Sequence, residues 1–290
     1  MLDLDPTRPP PAPKDASTLL LVRDGEAGLE VLCIERHAKS GFLGGAIVFP
    51  GGKVDPSDRH VSWSKLSSSP WPIQGASWGE DIDVRAFAIA AIRETFEEAG
   101  ILVASSVDSN HQLDGERRAL AEGTVAFHEI IENLRAHVEV SALRPFARWV
   151  TPEAESRRFD TRFFIAKSPD GQHASHDNHE ATNNFWATPQ ALLRRFATGA
   201  IKLAPPTHRC LELLRDVATV TEAFALAERA CLLPICPVLI VQSAGPSEHG
   251  STSALVLPGD PAHPIPQCRV PGSTRFVLRG DQWLPESAPT

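Results

Sequence analysis

The sequence predicts an α/β fold, in which β-strands and α-helices alternate along one chain. A strand–turn–strand pattern lies near the start, in "STLLLVRDGEAGLEVLCIER". A strongly patterned helix follows, from about Ile82 to Ala99, and "RPFARWVTP" and "TRFFIA" are typical of later strands. The chain has 290 residues, 42% of them hydrophobic, which is enough for one large domain or for one domain with a sizeable extension.

The elements of the first half follow from apolar runs and the turn residues between them. Strands are predicted at Thr18–Val22 and Val31–Arg36, on either side of a turn that contains Asp-Gly. A third strand, Ala46–Phe49, is short and ends at a Pro-Gly-Gly break. Residues 1–15 are rich in proline and are predicted to form a disordered tail, so we expect the main domain to span residues 16–204.

Two segments differ in character from this domain. Residues from about 56 to 83 are rich in Ser, Pro, Trp and Gly and have no sustained period, which favours a long insertion packed by Trp63, Trp71 and Trp78. Residues 205–290 are predicted to form an extension, helical at first and then with strands in "PVLIVQ", "SALVLPGD" and "TRFVLRGDQW". These strands are candidates for covering a site, extending the sheet or forming a homodimer contact.

Between them, "GERRALAEGTVAFHEIIENLRAHV" favours helices, and "FWATPQALLRRFATGA" favours a strand end that leads into a helix. The polar stretch "SPDGQHASHDNHEATNN" separates these two regions and is predicted to be a loop.

Charge and hydropathy argue against several classes of partner. The net charge is −8 and no basic run suggests a nucleic-acid groove. No apolar run approaches the roughly 20 residues that a membrane span needs, and the acidic N-terminus lacks the features of a signal peptide. We therefore expect a cytoplasmic protein. An anionic phosphate-ester substrate would be repelled by this charge unless bound cations offset it.

The stretch "AIAAIRETFEEAGI" sets three glutamates close together on one helix. Glu94 faces both Glu97 and Glu98, at spacings of three and four residues, and each like-charge pair is unfavourable by roughly 0.2–0.5 kcal/mol. The alternative is an amphipathic helix with a solvated acidic face, but such a face usually interleaves lysines. The crowded carboxylates instead indicate a missing counter-charge, and hard oxygen ligands suit Mg²⁺ or Mn²⁺.

A second motif, "FPGGKV", precedes this helix. Gly51 and Gly52 let the backbone turn sharply and approach another group closely. A glycine-rich turn of this kind can place backbone carbonyl and N–H groups beside bound metal and phosphate, although most such turns are only turns.

Together these motifs resemble the Nudix family. "RETFEEAGI", Arg93 to Ile101, matches the core of the Nudix box, Arg-Glu-apolar-x-Glu-Glu-x-Gly-apolar, with Thr95 in a slot that is usually apolar. The resemblance implies an α/β/α sandwich around a mixed sheet. It also implies divalent-metal-dependent hydrolysis of a nucleoside diphosphate linked to another moiety.

The complete box departs from the family pattern in two ways. The family's first glycine lies 14 positions before the arginine; here the matching glycine is predicted to be Gly52, and the long insertion falls inside the box. Gly79 has the right offset but lacks the FPGG context. The glutamate expected eight positions before Arg93 is replaced by Arg85, which leaves the number of metal ions open.

The order of "GFLGGAIVFPGGKVDPSD", the long insertion, "RETFEEAGIL", "RFDTRFFIA" and "LAPPT" resembles the inserted-Nudix branch that contains mitochondrial and peroxisomal coenzyme A diphosphatases. This similarity implies coenzyme A or an acyl-CoA as substrate. It covers roughly Leu19 to Leu214 and excludes the C-terminal strands. On this resemblance Trp63, Trp71 and Trp78 of the insertion offer stacking surface for a pantetheine arm or an adenine ring, and packing of the insertion onto the domain is the alternative. ADP-ribose, NADH, dinucleoside polyphosphates and capped RNA ends are the alternative substrates, and a non-catalytic nucleotide-binding regulator is the alternative of another class.

The resemblance also implies roles for single residues. Glu94 and Glu98 are the predicted metal ligands, with Glu97 as a third ligand or as the group that positions the attacking water. Arg93 is predicted to hold these carboxylates in place, and the carbonyl of Gly52 to be a further ligand.

Other candidates are less well defined by the sequence. Glu180 lies before a late strand, where the family often uses a carboxylate as ligand or base; an ordinary loop glutamate is the alternative. Candidates for binding substrate phosphates, or alternatively structural ion pairs, are Arg36, Arg158 and Arg162. A zinc site at His173, His176 and His179 is an alternative that the spacing does not define.

Overall fold

The computed structural model describes residues 2–37, 44–68, 78, 83–105, 113–174, 181–242 and 252–288. The strands in these ranges are β1 Lys14–Gly25, β2 Gly28–Arg36, β3 Ala46–Val48, β4 Gly51–Lys53, β5 Ala104–Ser105, β6 His137–Val138, β7 Arg144–Val150, β8 Phe159–Lys167, β9 Ala181–Ala187, β10 Lys202–Leu203, β11 Val238–Gln242, β12 Thr252–Val256, β13 Arg275–Arg279 and β14 Gln282–Glu286. The helices are α1 Trp63–Leu66, α2 Val84–Ala99, α3 Asp114–Ala121, α4 Phe127–Asn133, α5 Pro189–Ala197, α6 Pro205–Leu214 and α7 Val220–Ala227, and a 3₁₀ turn spans Pro56–Arg59. None of these helices is long and apolar enough to cross a membrane.

The main sheet is mixed and has the order β10-β3-β2-β1-β8-β7, with β4 paired to β1 and β9 paired to β2. β1 and β2 form the predicted antiparallel hairpin, whereas β1 and β8 run parallel over nine residue pairs. Along one edge of β1, the last residues of β1 pair with β2 and residues near its start pair with β4. Because β4 pairs with β1, the Gly51–Gly52 turn is part of the sheet and lies next to α2.

The two faces of β1 bury different cores because successive side chains of a strand point in opposite directions. Leu19 and Leu21 lie in a core with α2, α4 and the insertion. Leu20 and Val22 lie in a second core with α5, α6, α7 and the C-terminal strands. The sheet is thus covered on both faces.

The N-terminal segment differs from the predicted disordered tail. β1 already begins at Lys14, and residues 2–5 contact the domain. The backbone N–H of Asp3 donates to the carboxylate of Glu155 at 2.8 Å, while Leu2 and Leu4 pack against the α6-side core. Glu155 is only 2% exposed, so its carboxylate needs donors from this segment.

The predicted insertion packs through its tryptophans, as far as the structure describes it. Trp63 is 1% exposed, contacts Phe127, and donates its indole N–H to the carbonyl of Ser57 at 2.9 Å. Trp78 is fully buried against Phe164. Trp71 lies outside the described residues. The two described tryptophans are therefore core residues, and a substrate-stacking role does not fit them.

The C-terminal extension forms a separate antiparallel sheet of order β11-β12-β13-β14. It has one strand more than predicted, because "TRFVLRGDQW" turns at Gly280 and pairs with itself. Leu255, Phe276 and Trp283 join the α6-side core. The extension is thereby continuous with the hydrophobic core of the main domain.

Candidate active site

The acidic helix α2 is buried around most of its circumference. It ends at Gly100, which adopts a left-handed conformation with φ 70° and donates its N–H to the carbonyl of Phe96 at 2.9 Å. Glu98 is only 8% exposed, and the side chains of Glu94 and Glu97 are 16% and 23% exposed. The solvated acidic face that sequence alone allowed is therefore absent.

The Gly-Gly turn lies directly against these carboxylates. The N–H of Gly51 donates to Oε2 of Glu98 at 2.9 Å. A Cβ atom added at Gly52 would lie 2.4 Å from the carboxylate carbon of Glu94. A Cβ at Gly51 would meet the carbonyl of Ser17 at 2.5 Å. Gly51 requires glycine because the backbone of β1 lies too close for any side chain, whereas a side chain at Gly52 would displace the carboxylate of Glu94.

Arg93 joins the carboxylates into one network. Its Nη1 donates to Oε1 of both Glu94 and Glu97, at 2.9 and 2.8 Å. Its Nη2 donates to the carbonyl of Lys53 in β4 at 2.9 Å. The guanidinium therefore ties two glutamates of α2 to the strand that carries the glycines.

Asp58, which the sequence reasoning missed, anchors the other side of Arg93. Nε and Nη2 of Arg93 donate to the two carboxylate oxygens of Asp58, each at 2.9 Å. The side chain of Asp58 is fully buried and also accepts the backbone N–H of Asp55, in a capping box of the 3₁₀ turn. The sequence signal was present as D-x-x-D directly after "FPGGKV".

Burial and crowding shift the charges of this site. Burial raises the pKa of Glu94 to about 7, and the charge of Glu97 adds to this effect, while Arg93 opposes it. Burial lowers the pKa of Arg93, but its hydrogen bond to Asp58 and the charge of Glu94 outweigh burial, so the pKa is raised. The arginine stays charged while one carboxylate is poised to take up a proton.

The donor set fits a hard divalent cation. Arg93 occupies one oxygen of Glu94 and one of Glu97, and the remaining neighbours are carboxylate oxygens and the backbone of β4. No three acidic, histidine or cysteine side chains converge into a metal cage within the described ranges. Mg²⁺ commonly uses one or two carboxylates and keeps several waters, so a dedicated cage is not required.

Two polar side chains fix the end of α2 that bears the glutamates. The Nδ2 atom of Asn184 in β9 donates to the backbone carbonyl of Glu98 at 2.9 Å. The Nε atom of Arg117 in α3 donates to the backbone carbonyl of Glu97 at 2.7 Å. Both satisfy carbonyls that lack a partner in the last helical turn, and Arg117 also places positive charge at the negative end of the helix.

The three candidate substrate arginines occupy different environments. Arg36 lines a cavity beside Gly51, and its Nε atom has no hydrogen-bond partner among the described residues. Arg162 is 1% exposed and lies 2.7 Å from Asp160, so a role in binding substrate phosphate does not fit its position. Arg158 donates to the backbone carbonyls of Thr151 and Pro11, at 3.1 and 2.9 Å. Its substrate-binding role stays a prediction.

Glu180 lies outside the described residues, as do His176 and His179, so the loop that carries them stays untested. His173 is described and exposed.

Comparison with known proteins agrees with this geometry. Residues 74–215 match the family described as the NUDT19 Nudix domain. The solved Nudix hydrolase of Alicyclobacillus acidocaldarius is 28% identical and superposes with a TM-score of 0.65, over 74% of this chain and 96% of that one. The chain belongs to the Nudix family. Helix α2 is therefore its Nudix helix, and the Gly51–Gly52 turn is the glycine motif that precedes it.

Curated Nudix relatives share most of the chain. The acyl-coenzyme A diphosphatase NUDT19 of Xenopus laevis is 31% identical over 233 residues, 67% of this chain and 61% of that protein. The Homo sapiens protein of the same name is 25% identical over 260 residues, 75% of this chain and 65% of that protein. The chain thus spans less than two thirds of the length of these relatives.

Proposed function

We propose that this Nudix protein is a divalent-metal-dependent diphosphatase of coenzyme A and acyl-CoA. The observation that carries the proposal is the clamped glutamate set, because Arg93 and the Gly-Gly turn hold the carboxylates of Glu94 and Glu98 at the same strand end. A non-catalytic binding domain has no need of such a set. The relatives named acyl-coenzyme A diphosphatase support the choice of substrate.

In this proposal, Glu94 and Glu98 would hold Mg²⁺ or Mn²⁺, with the backbone carbonyl of Gly52 as a further ligand. When bound, the cation neutralises the diphosphate and lowers the pKa of a coordinated water. The protein's own residues supply position. Arg93 keeps Glu94 and Glu97 in one geometry, and the N–H of Gly51 fixes Glu98. Glu97 is the most exposed of the three and orients the attacking water in line with the scissile bond.

Arg36 is the proposed contact for a substrate phosphate. Arg36 lines the same cavity as Gly51, whose N–H donates to Glu98, so a diphosphate held at the carboxylates would lie near this arginine. The Nε–H of Arg36 has no partner among the described residues. An arginine can donate this N–H and one from a terminal nitrogen as two parallel hydrogen bonds to a phosphate. Its positive charge also offsets the repulsion expected from the net charge of −8.

We also assign Asp58 to the acidic position of the Nudix box. In the family pattern that acid follows the first glycine by six positions, and Asp58 follows Gly52 by the same interval. The bidentate pair with Arg93 gives it a structural role. With this assignment the insertion begins after Asp58. Arg85 then does not stand at the position of the family's glutamate, although counting eight positions back from Arg93 places it there.

The test combines a substrate screen with charge-removing variants. With Mg²⁺ or Mn²⁺ present, coenzyme A should give 3′,5′-ADP and 4′-phosphopantetheine, identified by mass. Glu98→Gln should keep the fold and lower turnover by orders of magnitude, and Glu97→Gln should also lower it. The control is Glu132→Gln, an equal charge change on the exposed side of α4, which should leave turnover unchanged.

Near-wild-type turnover in both Glu97→Gln and Glu98→Gln would remove the proposed mechanism. If ADP-ribose, NADH or diadenosine polyphosphates were cleaved rapidly and coenzyme A were left intact, the protein would still be a diphosphate hydrolase. The assignment of coenzyme A as its substrate would then be rejected. Tight binding of these compounds without any cleavage would instead favour the regulator.

A further inference from the structure

An apolar cavity of ≈ 190 Å³ opens beside the Gly-Gly turn. Strands of the main sheet contribute Thr18, Val48 and Phe163 to its lining, and the first residues of α6 contribute as well. Pro237 and Leu255, from the later part of the C-terminal extension, also line it. Part of the wall therefore comes from outside the segment that matches the Nudix domain family, residues 74–215.

The cavity and the carboxylates share one residue. Gly51 lines the cavity, and its N–H donates to Glu98 at 2.9 Å. The cavity therefore adjoins the place where Glu98 would hold a diphosphate, and a group bonded to that diphosphate can enter it. Among the described residues, Arg36 is the one charged residue in the lining, so this part of the cavity places a cation beside an otherwise apolar and hydroxyl-bearing surface.

We propose that this cavity binds the pantetheine arm of the substrate and that Leu255 and Pro237 of the extension determine the preference for it. The inference rests on the proposed coenzyme A diphosphatase function. In coenzyme A the pantoyl group is bonded directly to the diphosphate and carries two methyl groups on one carbon. Those methyls are the first apolar atoms beyond the phosphate, and each buried methyl contributes about 0.8 kcal/mol, so the pair corresponds to roughly tenfold or more in affinity.

The nucleoside half fits this cavity less well. Adenine and ribose present several hydrogen-bonding groups, and burial without partners is unfavourable for each. In the described part of the lining, hydroxyls come from four threonines, Thr18, Thr151, Thr161 and Thr207. The other lining side chains there are mainly proline, aliphatic and aromatic groups, among them Leu2, Val48, Phe49, Trp149, Phe159, Phe163, Pro205 and Leu255. The two amides and the hydroxyl of the arm match this smaller number of polar partners.

The two products separate the halves of the substrate, so they serve as probes. Calorimetric titration of the full chain with 3′,5′-ADP and with 4′-phosphopantetheine measures each half-site without any need for turnover. Leu255→Phe adds volume to the extension's wall and should weaken 4′-phosphopantetheine by at least about tenfold, while 3′,5′-ADP changes less than about twofold. Leu239→Phe is the matched control, since Leu239 pairs with Leu255 in the same sheet but does not line the cavity.

Leu255 is only 1% exposed, so a second variant guards against misfolding. Val48→Phe fills the cavity from β3, where the side chain is half-buried, and should give the same selective loss. A selective loss of 3′,5′-ADP binding would place the nucleoside in the cavity and overturn the proposal, as would unchanged affinity for both products. Failure of wild-type protein to cleave coenzyme A, with selective product binding intact, would reject the enzymatic function but not the assignment of the cavity.

Discussion

Replacing Asp58 with asparagine tests whether one buried carboxylate holds the active-site network. The substitution preserves volume but removes the charge that faces Arg93. It also replaces one accepting oxygen by an NH₂ group, which cannot accept a hydrogen bond. That NH₂ group would face a donor, either a guanidinium nitrogen of Arg93 or the N–H of Asp55. The side chains of Asp58 and Arg93 are 0% and 8% exposed, so water cannot replace the lost partner.

The expected loss of stability follows from this burial. Removing one partner of a buried ion pair lowers the free energy of unfolding by about 3–5 kcal/mol. Glu94, Glu97 and the carbonyl of Lys53 still hold Arg93, so we expect the lower end, about 3 kcal/mol. A domain with an unfolding free energy of about 5–15 kcal/mol remains folded after this loss.

Turnover should fall along with stability. An arginine released from Asp58 no longer fixes the carboxylates of Glu94 and Glu97, and a displacement of about 1 Å at a catalytic group lowers the rate by about 100-fold. Urea denaturation in EDTA measures the free energy of unfolding, and steady-state hydrolysis of coenzyme A with saturating Mg²⁺ measures kcat.

The control for this experiment lies in the same turn. Asp55→Asn makes the same charge change, but Asp55 is exposed and its side chain caps the 3₁₀ turn at the N–H of Ser57, so its effect on stability should be about 1 kcal/mol or less and kcat should be unchanged. If Asp58→Asn behaves like Asp55→Asn in both measurements, the bidentate pair does not support the site and the argument from burial is refuted.

Three further predictions concern neighbouring features. Gly52→Ala introduces a Cβ 2.4 Å from the carboxylate carbon of Glu94, so kcat should fall about 100-fold, whereas Gly115→Ala, with nothing within 4 Å, should leave it unchanged. In metal-free protein, the pKa of Glu94 is about 7 in the folded state and about 4.5 in the unfolded state, so the folded state binds the proton more tightly. Protonated Glu94 therefore stabilises the fold fully below pH about 4.5, and this stabilisation should be lost as the pH rises through about 7. Urea titrations in EDTA at several pH values check this, and Glu94→Gln should remove that part of the slope; an unchanged slope would contradict the raised pKa. Trp63→Ala should lower the free energy of unfolding by about 3–5 kcal/mol and leave KM for coenzyme A within about twofold; a large rise in KM at constant stability would restore the substrate-stacking role.

Local motifs were readable from the sequence where a short-range rule sets them. The β1–β2 hairpin, α2 and the Gly-Gly turn were predicted because alternation, helical spacing and glycine signals operate over a few residues. The crowding of Glu94, Glu97 and Glu98 indicated a site for the same reason. The extra strand at the C-terminus was missed because a turn at Gly280 looked like the continuation of one strand.

Pairing across long separations in sequence could not be predicted in this way. Asp58 meets Arg93 across 35 positions, and Asn184 meets Glu98 across 86, so no local pattern records either contact. The tryptophans of the insertion illustrate the same limit, since composition does not state whether an aromatic ring faces a substrate or a core. For Trp63 and Trp78, packing against Phe127 and Phe164 decided it.

The sequence by itself determined the Nudix helix, its three glutamates and the glycine turn, because each depends on residue spacing within one element. Only the tertiary structure decided which groups face those glutamates. The mixed sheet places β4 beside β1, and this pairing brings Gly51 and Gly52 to the carboxylates and the carbonyl of Lys53 to Arg93. The tertiary structure also decided that Leu255 of the C-terminal extension lines the adjoining cavity. This strand packs on the sheet because burying its apolar side chains removes them from water.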